Sequence, residues 1–346
     1  MSLSKKLSTK KYINLWLLAV CALVVVMIFL GGLTRLTDSG LSITQWQPIS
    51  GVIPPFSDYD WQKEFSKYQA SPEFVKLNSH IVLEEFKSIY WMEFFHRLMG
   101  RVVVLAYFLP LIFWIFKGNI KWRKGGLYLP AAAVFLLQGF MGWYMVKSGL
   151  RDNPYVSHYR LAMHLSLALL VYAFLFWQYL RNQNIFILLP SYVRLTAVRV
   201  LGICAIVILS LQIILGAFVA GLDAGLVYNS FPLMGDSFVP AEIYSLGHRA
   251  FYFSDPVYVQ FMHRITAYLL VIVTLFLCYK SWKLGHDVFQ RAALYLFAAL
   301  LLQFVLGVYT ILSHVHLHVA LTHQLGSVLL LSSLLWLNFL LCKADE

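Results

Sequence analysis

Eight stretches of this 346-residue chain are long and apolar enough to cross about 30 Å of hydrocarbon, and nothing constrains the fold more. They cover 12–33, 90–116, 127–146, 161–180, 197–220, 257–282, 292–312 and 319–341. In lipid an open strand leaves backbone N–H and C=O groups without partners, so each stretch is expected to be a helix. Composition agrees: with 60% hydrophobic and 12% charged residues there is too little polar surface to cover a soluble globule. The lipid bilayer is therefore the chain's first partner.

The net charge of +11 would suit nucleic acid only if the cations formed a patch with interleaved aromatics. They fall instead in short connections: Lys5, Lys6, Lys10 and Lys11 before the first span, Lys117, Lys121, Arg123 and Lys124 after the second, Arg181, Arg194 and Arg199 between the fourth and fifth, and Lys280, Lys283 and Arg291 between the sixth and seventh. Cations collect on the cytoplasmic side, which puts both termini there and leaves no role for nucleic acid. The first apolar run is too long for a signal-peptide core and has no small-residue cleavage site after it, and the basic leader is too brief for a transit peptide. The expected compartment is the bacterial inner (plasma) membrane. Cys21, Cys204, Cys278 and Cys342 lie within or at the ends of spans, so neither a disulfide framework nor a metal spacing is implied.

The outer side carries two long connections, 34–89 and 221–256, of the kind that often cover a site. The first mixes Asp58, Asp60, Glu64, Glu73, Glu84 and Glu85 with Lys63, Lys67, Lys76 and Lys87, and is expected to hold one or two short amphipathic helices over a mostly solvated face. The second half of the chain restates the first. Gly31 and the turn Asp38-Ser39-Gly40-Leu41 correspond at one offset to Gly216 and Asp223-Ala224-Gly225-Leu226, and Pro54-Pro55 has a counterpart in Pro240. Gln138-Gly139-Phe140-Met141-Gly142-Trp143-Tyr144 matches Gln303-Phe304-Val305-Leu306-Gly307-Val308-Tyr309. Each unit has an even number of spans, so the repeat is parallel. The expected fold is an all-α integral membrane protein, its eight transmembrane helices forming two pseudo-symmetric four-helix bundles, residues 1–190 and 191–346.

Spans two, four, six and eight each carry a histidine within about two turns of the outer end: His96, His164, His263 and His323. A small residue follows four positions later in each case, Gly100, Ala168, Ala267 and Ser327, on the same helical face. Paired imidazoles on facing helices, with small neighbours leaving room for a flat macrocycle, suit axial ligation of haem iron. The closed Cys, His and carboxylate set that zinc wants is missing at these positions. Arg35, Arg97 and Arg264, near outer helix ends, fit carboxylates such as haem propionates, or snorkel to the interface. His80, His158, His248 and His286 fall in loops and read as solvated. His314, His316 and His318 sit at the turn before the last span, where His318 competes with His323 as a ligand; depth and the small residue at the fourth position favour His323.

The two His-Arg segments differ in one place. Glu93 stands one turn before His96, whereas Gln260 stands one turn before His263. A carboxylate there can accept a proton or stabilise a developing cation, and an amide can do neither; the carboxylate's structural alternative is to pair with Arg97 or Arg35. The first repeat therefore reads as the site of a reaction and the second as the seat of a permanent redox haem.

Glu-x-x-His-Arg at 93–97, Gly-Leu-Asp-Ala-Gly at 221–225, Phe-Met-His-Arg at 261–264, Leu-Thr-His-Gln at 321–324 and above all Gly-Leu-Thr-Arg-Leu-Thr-Asp-Ser-Gly-Leu-Ser at 32–42 resemble the haem A synthase family, over nearly the whole chain. That family converts the C8 methyl of haem O to the formyl of haem A for terminal oxidases. The resemblance implies Glu93, His96 and His164 as catalytic residues with His96 and His164 on the substrate iron, Arg35 and Arg97 as substrate-binding, and His263, His323 and Arg264 holding haem b. It implies haem O as substrate, with haem O synthase or an oxidase assembly factor as protein partner. The chain lacks the outer-loop cysteine pair of many bacterial members and so resembles the cysteine-free branch that includes the mitochondrial enzymes.

Two other classes compete. A di-haem b electron-transfer cytochrome predicts matched pockets, which the Glu93/Gln260 difference opposes. A transporter of parallel repeats expects polar or broken helices at the midplane, whereas the ionisable residues here gather at the outer ends.

Overall fold

The computed structural model describes residues 3–47, 49–121, 126–150, 156–183, 185–187, 195–245 and 252–344. Among the described residues there are eleven α-helices and no strand: α1 (Leu3–Leu36), α2 (Asp58–Gln69), α3 (Pro72–Lys76), α4 (Leu83–Phe116), α5 (Tyr128–Gly149), α6 (His158–Arg181), α7 (Thr196–Gly221), α8 (Ala241–Ser245), α9 (Pro256–Trp282), α10 (Asp287–Leu312) and α11 (Leu317–Lys343). Eight of them are long and apolar enough to span a bilayer, and each covers one of the stretches marked in the sequence, α5 starting one residue inside its own. The short helices α2, α3 and α8 lie in the two long connections.

The first connection is a packed cap. Ser57 and Asp60 close a capping box at the start of α2, and Asp58 and Lys67 sit at the helix ends that suit their charge. Trp61, Phe65 and Tyr68 recur at helical spacing and bury against Phe86, Tyr90 and Phe94 of α4. The loop is thereby fixed to the end of α4 that carries His96.

Pro110 lies inside α4 and has no N–H to offer the carbonyl of Ala106 one turn back. Trp16 Nε1 of α1 donates to that carbonyl at 2.9 Å. The helix thus crosses an apolar region with its backbone satisfied.

The spans fall into two sets, α1, α4, α5 and α6, then α7, α9, α10 and α11. Their fourth members meet at the centre: α6 packs on α7 and α11, and α11 packs on α1 as well. Apolar surface gains little from helix contact in lipid, so close packing and hydrogen bonds carry this junction. The Tyr172 hydroxyl meets Ser332 Oγ at 2.7 Å, and Gln324 Nε2 donates to the Ile28 carbonyl at 2.7 Å. The sets differ at one seam. Helices α9 and α10 pack extensively, whereas their counterparts α4 and α5 touch at only a few positions.

One expectation fails here. His158 is not a solvated loop residue; it opens α6, is buried, and packs its ring on Tyr159 at 4.0 Å and edge-on to Phe218 at 5.2 Å. Aromatic packing lets α6 start before the purely apolar stretch does. His286 caps α10 by accepting from the Val288 N–H. All four cysteines are free thiols. His248, Arg123, Lys124 and Arg194 lie outside the described residues.

Candidate haem-binding sites

His96 on α4, His164 on α6, His263 on α9 and His323 on α11 each turn the ring against a glycine of the preceding span. A Cβ placed on Gly31 would lie 3.6 Å from His96 Cε1; on Gly142, 3.2 Å from His164 Cε1; on Gly216, 3.1 Å from His263 Cε1; and on Gly307, 2.9 Å from His323 Cε1. The last three spacings are tighter than ordinary carbon contact, so only glycine lets the ring lie there unshifted. Room at the sites therefore comes from glycines across the helix interface. The residues expected to provide it matter less: Gly100, the fourth residue after His96, faces only Met27 at 3.9 Å. The relevant signal was in the sequence, since Gly31 repeats as Gly216 and Gly142 as Gly307, but without a structure nothing tied these glycines to the histidines.

One turn before three of the four glycines stands a glutamine: Gln138, Gln212 and Gln303. Gln138 Nε2 lies 3.3 Å from His164 Nε2, and Gln212 Nε2 lies 3.2 Å from His263 Nε2. The Nδ1 atoms of His164, His263 and His323, and the Oε1 atoms of the three glutamines, are buried without a partner. Buried polar atoms are nearly always satisfied in a native protein, so a concentration of orphans at repeated positions points to a missing ligand. No group of three or more His, Cys, Asp and Glu side chains suited to a bare metal ion occurs among the described residues. Imidazole pairs cleared by glycine, without carboxylate or thiolate ligands, fit haem and not zinc. His318 is exposed, whereas His323 sits against Gly307, so the geometry favours His323.

Above each site an i,i+4 pair clasps the loop that follows the first span of its set. In the first, Glu93 Oε2 accepts from Ser42 Oγ and from the Ile43 N–H, both at 2.7 Å, while Oε1 accepts from Arg97 Nε at 2.9 Å and from Nη2. Arg97 also donates to the carbonyls of Ile43 at 2.8 Å and Gln45 at 3.1 Å and lies 5.5 Å from the Trp46 ring. Glu93 is only 2% exposed, so its charge is tolerable because Arg97 and two further donors surround it. In the second, Gln260 Nε2 and Arg264 Nη2 both donate to the Tyr228 carbonyl at 3.0 Å, and Arg264 Nη1 donates to Ser230 at 2.9 Å and Leu233 at 3.2 Å. Arg264 Nε and Gln260 Oε1 remain buried and unpaired.

Arg35, expected to meet substrate, reaches Asp38 at 2.7 Å and Asp223 at 2.8 Å, tying the ends of α1 and α7 together. Both aspartates take left-handed backbone angles, φ 47° and 51°, as the repeat requires. Glu73 of the cap was not singled out by the sequence reading. It is buried, and burial first, then the charge of Glu93, pushes its carboxyl up to about 7. An open cleft of about 1080 Å³ runs past Trp143, Tyr144, Lys147, Arg160 and Asp223, and none of the four histidines is in its described lining.

The family model described as cytochrome oxidase assembly protein, COX15-CtaA, matches residues 14–335. The chain belongs to the COX15-CtaA family. Among curated members it is similar to the Heme A synthase of Rickettsia bellii (strain OSU 85-389), 48% identical over 329 residues that make up 94% of this chain and 97% of that protein. It is 46% identical over 334 residues to the Heme A synthase of Rickettsia felis (strain ATCC VR-1525 / URRWXCal2), covering 96% and 98%. The Heme A synthase of Rickettsia conorii (strain ATCC VR-613 / Malish 7) is 45% identical over 332 residues, covering 96% and 98%. The expected haem A synthase family is thus the one to which this COX15-CtaA chain belongs.

Proposed function

We propose that this protein is an integral membrane oxidoreductase that converts the C8 methyl of haem O to a formyl group. With water as the oxygen source the half-reaction is R–CH3 + H2O → R–CHO + 4 H⁺ + 4 e⁻, so the carbon is oxidised twice and an electron acceptor is required. Residues 1–190 hold the substrate, with His96 and His164 on its iron, and residues 191–346 hold haem b through His263 and His323. The glycines facing all four histidines, and the orphaned Nδ1 atoms of His164, His263 and His323, support both assignments. Haem b, when bound, supplies one-electron redox chemistry.

The observation that carries the reading is the difference between two otherwise matched clasps, Glu93–Arg97 and Gln260–Arg264. Both oxygens of Glu93 are occupied by donors, which favours a role in stabilising positive charge that develops on the substrate over a role as proton acceptor. Arg97 and Ser42 hold that charge in place. Arg264 Nε is a free donor for a propionate of haem b; Arg97 and Arg35 meet substrate propionates by exchanging partners they already have. The alternative, an electron-transfer cytochrome with two permanent haems, gives no reason for a buried carboxylate in one half alone. We place the protein in the bacterial plasma membrane with both termini cytoplasmic, receiving haem O from its synthase or delivering product to an oxidase assembly factor.

The test is to incubate purified protein with haem O and an electron acceptor and to identify products by mass. Wild type should yield hydroxylated and formylated haem, and Glu93→Gln should stop at haem O or the hydroxylated form. Unchanged product from Glu93→Gln would remove the carboxylate from the chemistry.

A further inference from the structure

The open seam between α4 and α5 has a defined composition. Trp46, Val104, Phe108, Leu136, Gly139 and Phe140 bound a groove of about 360 Å³ there, part of an entirely apolar and aromatic lining. Gly139 in this lining is exposed, and a Cβ built on it would meet nothing within 4 Å. The repeat gives each of these positions a counterpart. Gly139 corresponds to Phe304, and Trp46 to Phe231. Phe231, held by the Arg264 clasp on Ser230 and Leu233, meets Phe304 at 6.0 Å; Phe304 meets Tyr268 of α9 at 6.5 Å; and Tyr268 stacks on Phe238 at 6.0 Å. An aromatic plug closes the second half. In the first half the Arg97 clasp holds Trp46 over the same place, a glycine stands where Phe304 does, and Arg101, the counterpart of Tyr268, turns instead to donate to the Gln47 carbonyl at 2.7 Å.

A half that keeps its haem has reason to be shut, and a half that exchanges its haem has reason to be open towards lipid. Haem O differs from protohaem by a long branched polyprenyl chain, which cannot fold into a bundle closed by packed side chains. Building on the assignment of substrate to the first half, we propose that the α4–α5 groove receives this hydrocarbon chain, and that Gly139 is the position that admits it. The groove is lined only by carbon-rich side chains of Trp46 and of α4 and α5, the helices that carry His96 and the glycine facing His164, so the chain lies along it while the macrocycle reaches the histidines.

The experiment uses full-length wild-type protein with haem b in place, and the variants Gly139→Phe and Gly139→Leu, each titrated separately with haem O and with protohaem and followed by absorbance. Haem b retained in the second half reports that a variant has folded. Wild type should prefer haem O over protohaem by at least about tenfold, the gain from burying a few methylene groups. Gly139→Phe should erase the preference and leave protohaem binding unchanged, and Gly139→Leu should reduce it. If Gly139→Phe keeps the wild-type preference, the groove only packs against lipid and the proposal is wrong; an altered oligomeric state with the preference intact contradicts it equally. If wild type binds neither haem in the first half, the assignment of substrate to that half fails, and this proposal with it.

Discussion

The two halves of this molecule use the same parts to different ends. Both bring two histidines against two glycines, and both hold the loop after their first helix with an i,i+4 pair. In the half containing α9 and α10 the clasp is neutral on one side, Gln260 with Arg264, and the helices are sealed by Phe231, Tyr268 and Phe304. In the half containing α4 and α5 the clasp is an ion pair buried almost completely, and the seam is open at Gly139. On the reading proposed here, a haem that stays needs enclosure, and a haem that is changed and released needs a charge and an exit. Divergence between repeats, more than either site alone, is what that proposal rests on.

The difference in clasps gives the largest expected effect. Glu93→Ala leaves the largely buried Arg97 guanidinium without its carboxylate and should cost about 3–5 kcal/mol, whereas Gln260→Ala removes an amide hydrogen bond and should cost about 1 kcal/mol. Thermal unfolding of the two variants side by side checks this; equal losses would mean that the charge adds nothing to the loop's attachment. Next come the cradles. Gly307→Ala should push His323 aside and weaken haem binding in its half by about 1–3 kcal/mol, while Gly31→Ala, whose Cβ would meet His96 Cε1 at an ordinary contact distance of 3.6 Å, should leave the first half's affinity for haem O nearly unchanged. Haem content and titration measure both, and a reversed order would mean that the rings move freely.

A pH effect should separate the halves further, because among the described residues only the first half has a cap with a buried, unpaired carboxyl oxygen, that of Glu73. Its folded value of about 7 lies above the ordinary 4.5, so the folded state binds the proton more tightly than the unfolded state does. The stability this confers is complete below about 4.5 and is lost as pH rises through about 7. Hydrogen exchange in α2 and α3, corrected for intrinsic rates, should show looser packing above that range, and Glu73→Gln should abolish the pH dependence. The smallest effect belongs to the tie between halves: Arg35 and Asp223 are 21% and 67% exposed, and a double-mutant cycle should give a coupling below about 1 kcal/mol.

Much of this was legible in the sequence, for definite reasons. Eight spans follow from chain length in lipid, and the helices cover the marked stretches, all but the first residue of the third, because in lipid a helix satisfies its own backbone. His96, His164, His263 and His323 stood out because ionisable groups are rare in such segments. His158 was misread because an aromatic-rich helix start looks like a loop when only apolar runs are counted. The clasps were half visible: Glu93 and Arg97 are one turn apart, but their partners Ser42 and Ile43 are distant in sequence and no periodicity connects them. The glycine cradles and the Gly139 notch were missed because a glycine in a membrane helix usually means close packing, and only the repeat, read together with contacts across helices, shows which glycines make room and which leave an opening.

The most direct test of the account is to remove the histidines by pairs and identify by mass the haem that remains after expression with haem O synthase. His96→Ala with His164→Ala should leave haem b alone, and His263→Ala with His323→Ala should leave only haem O or its oxidation products. If each double variant retains the same mixture of haems, the two halves do not have separate roles and the division of labour proposed here is wrong.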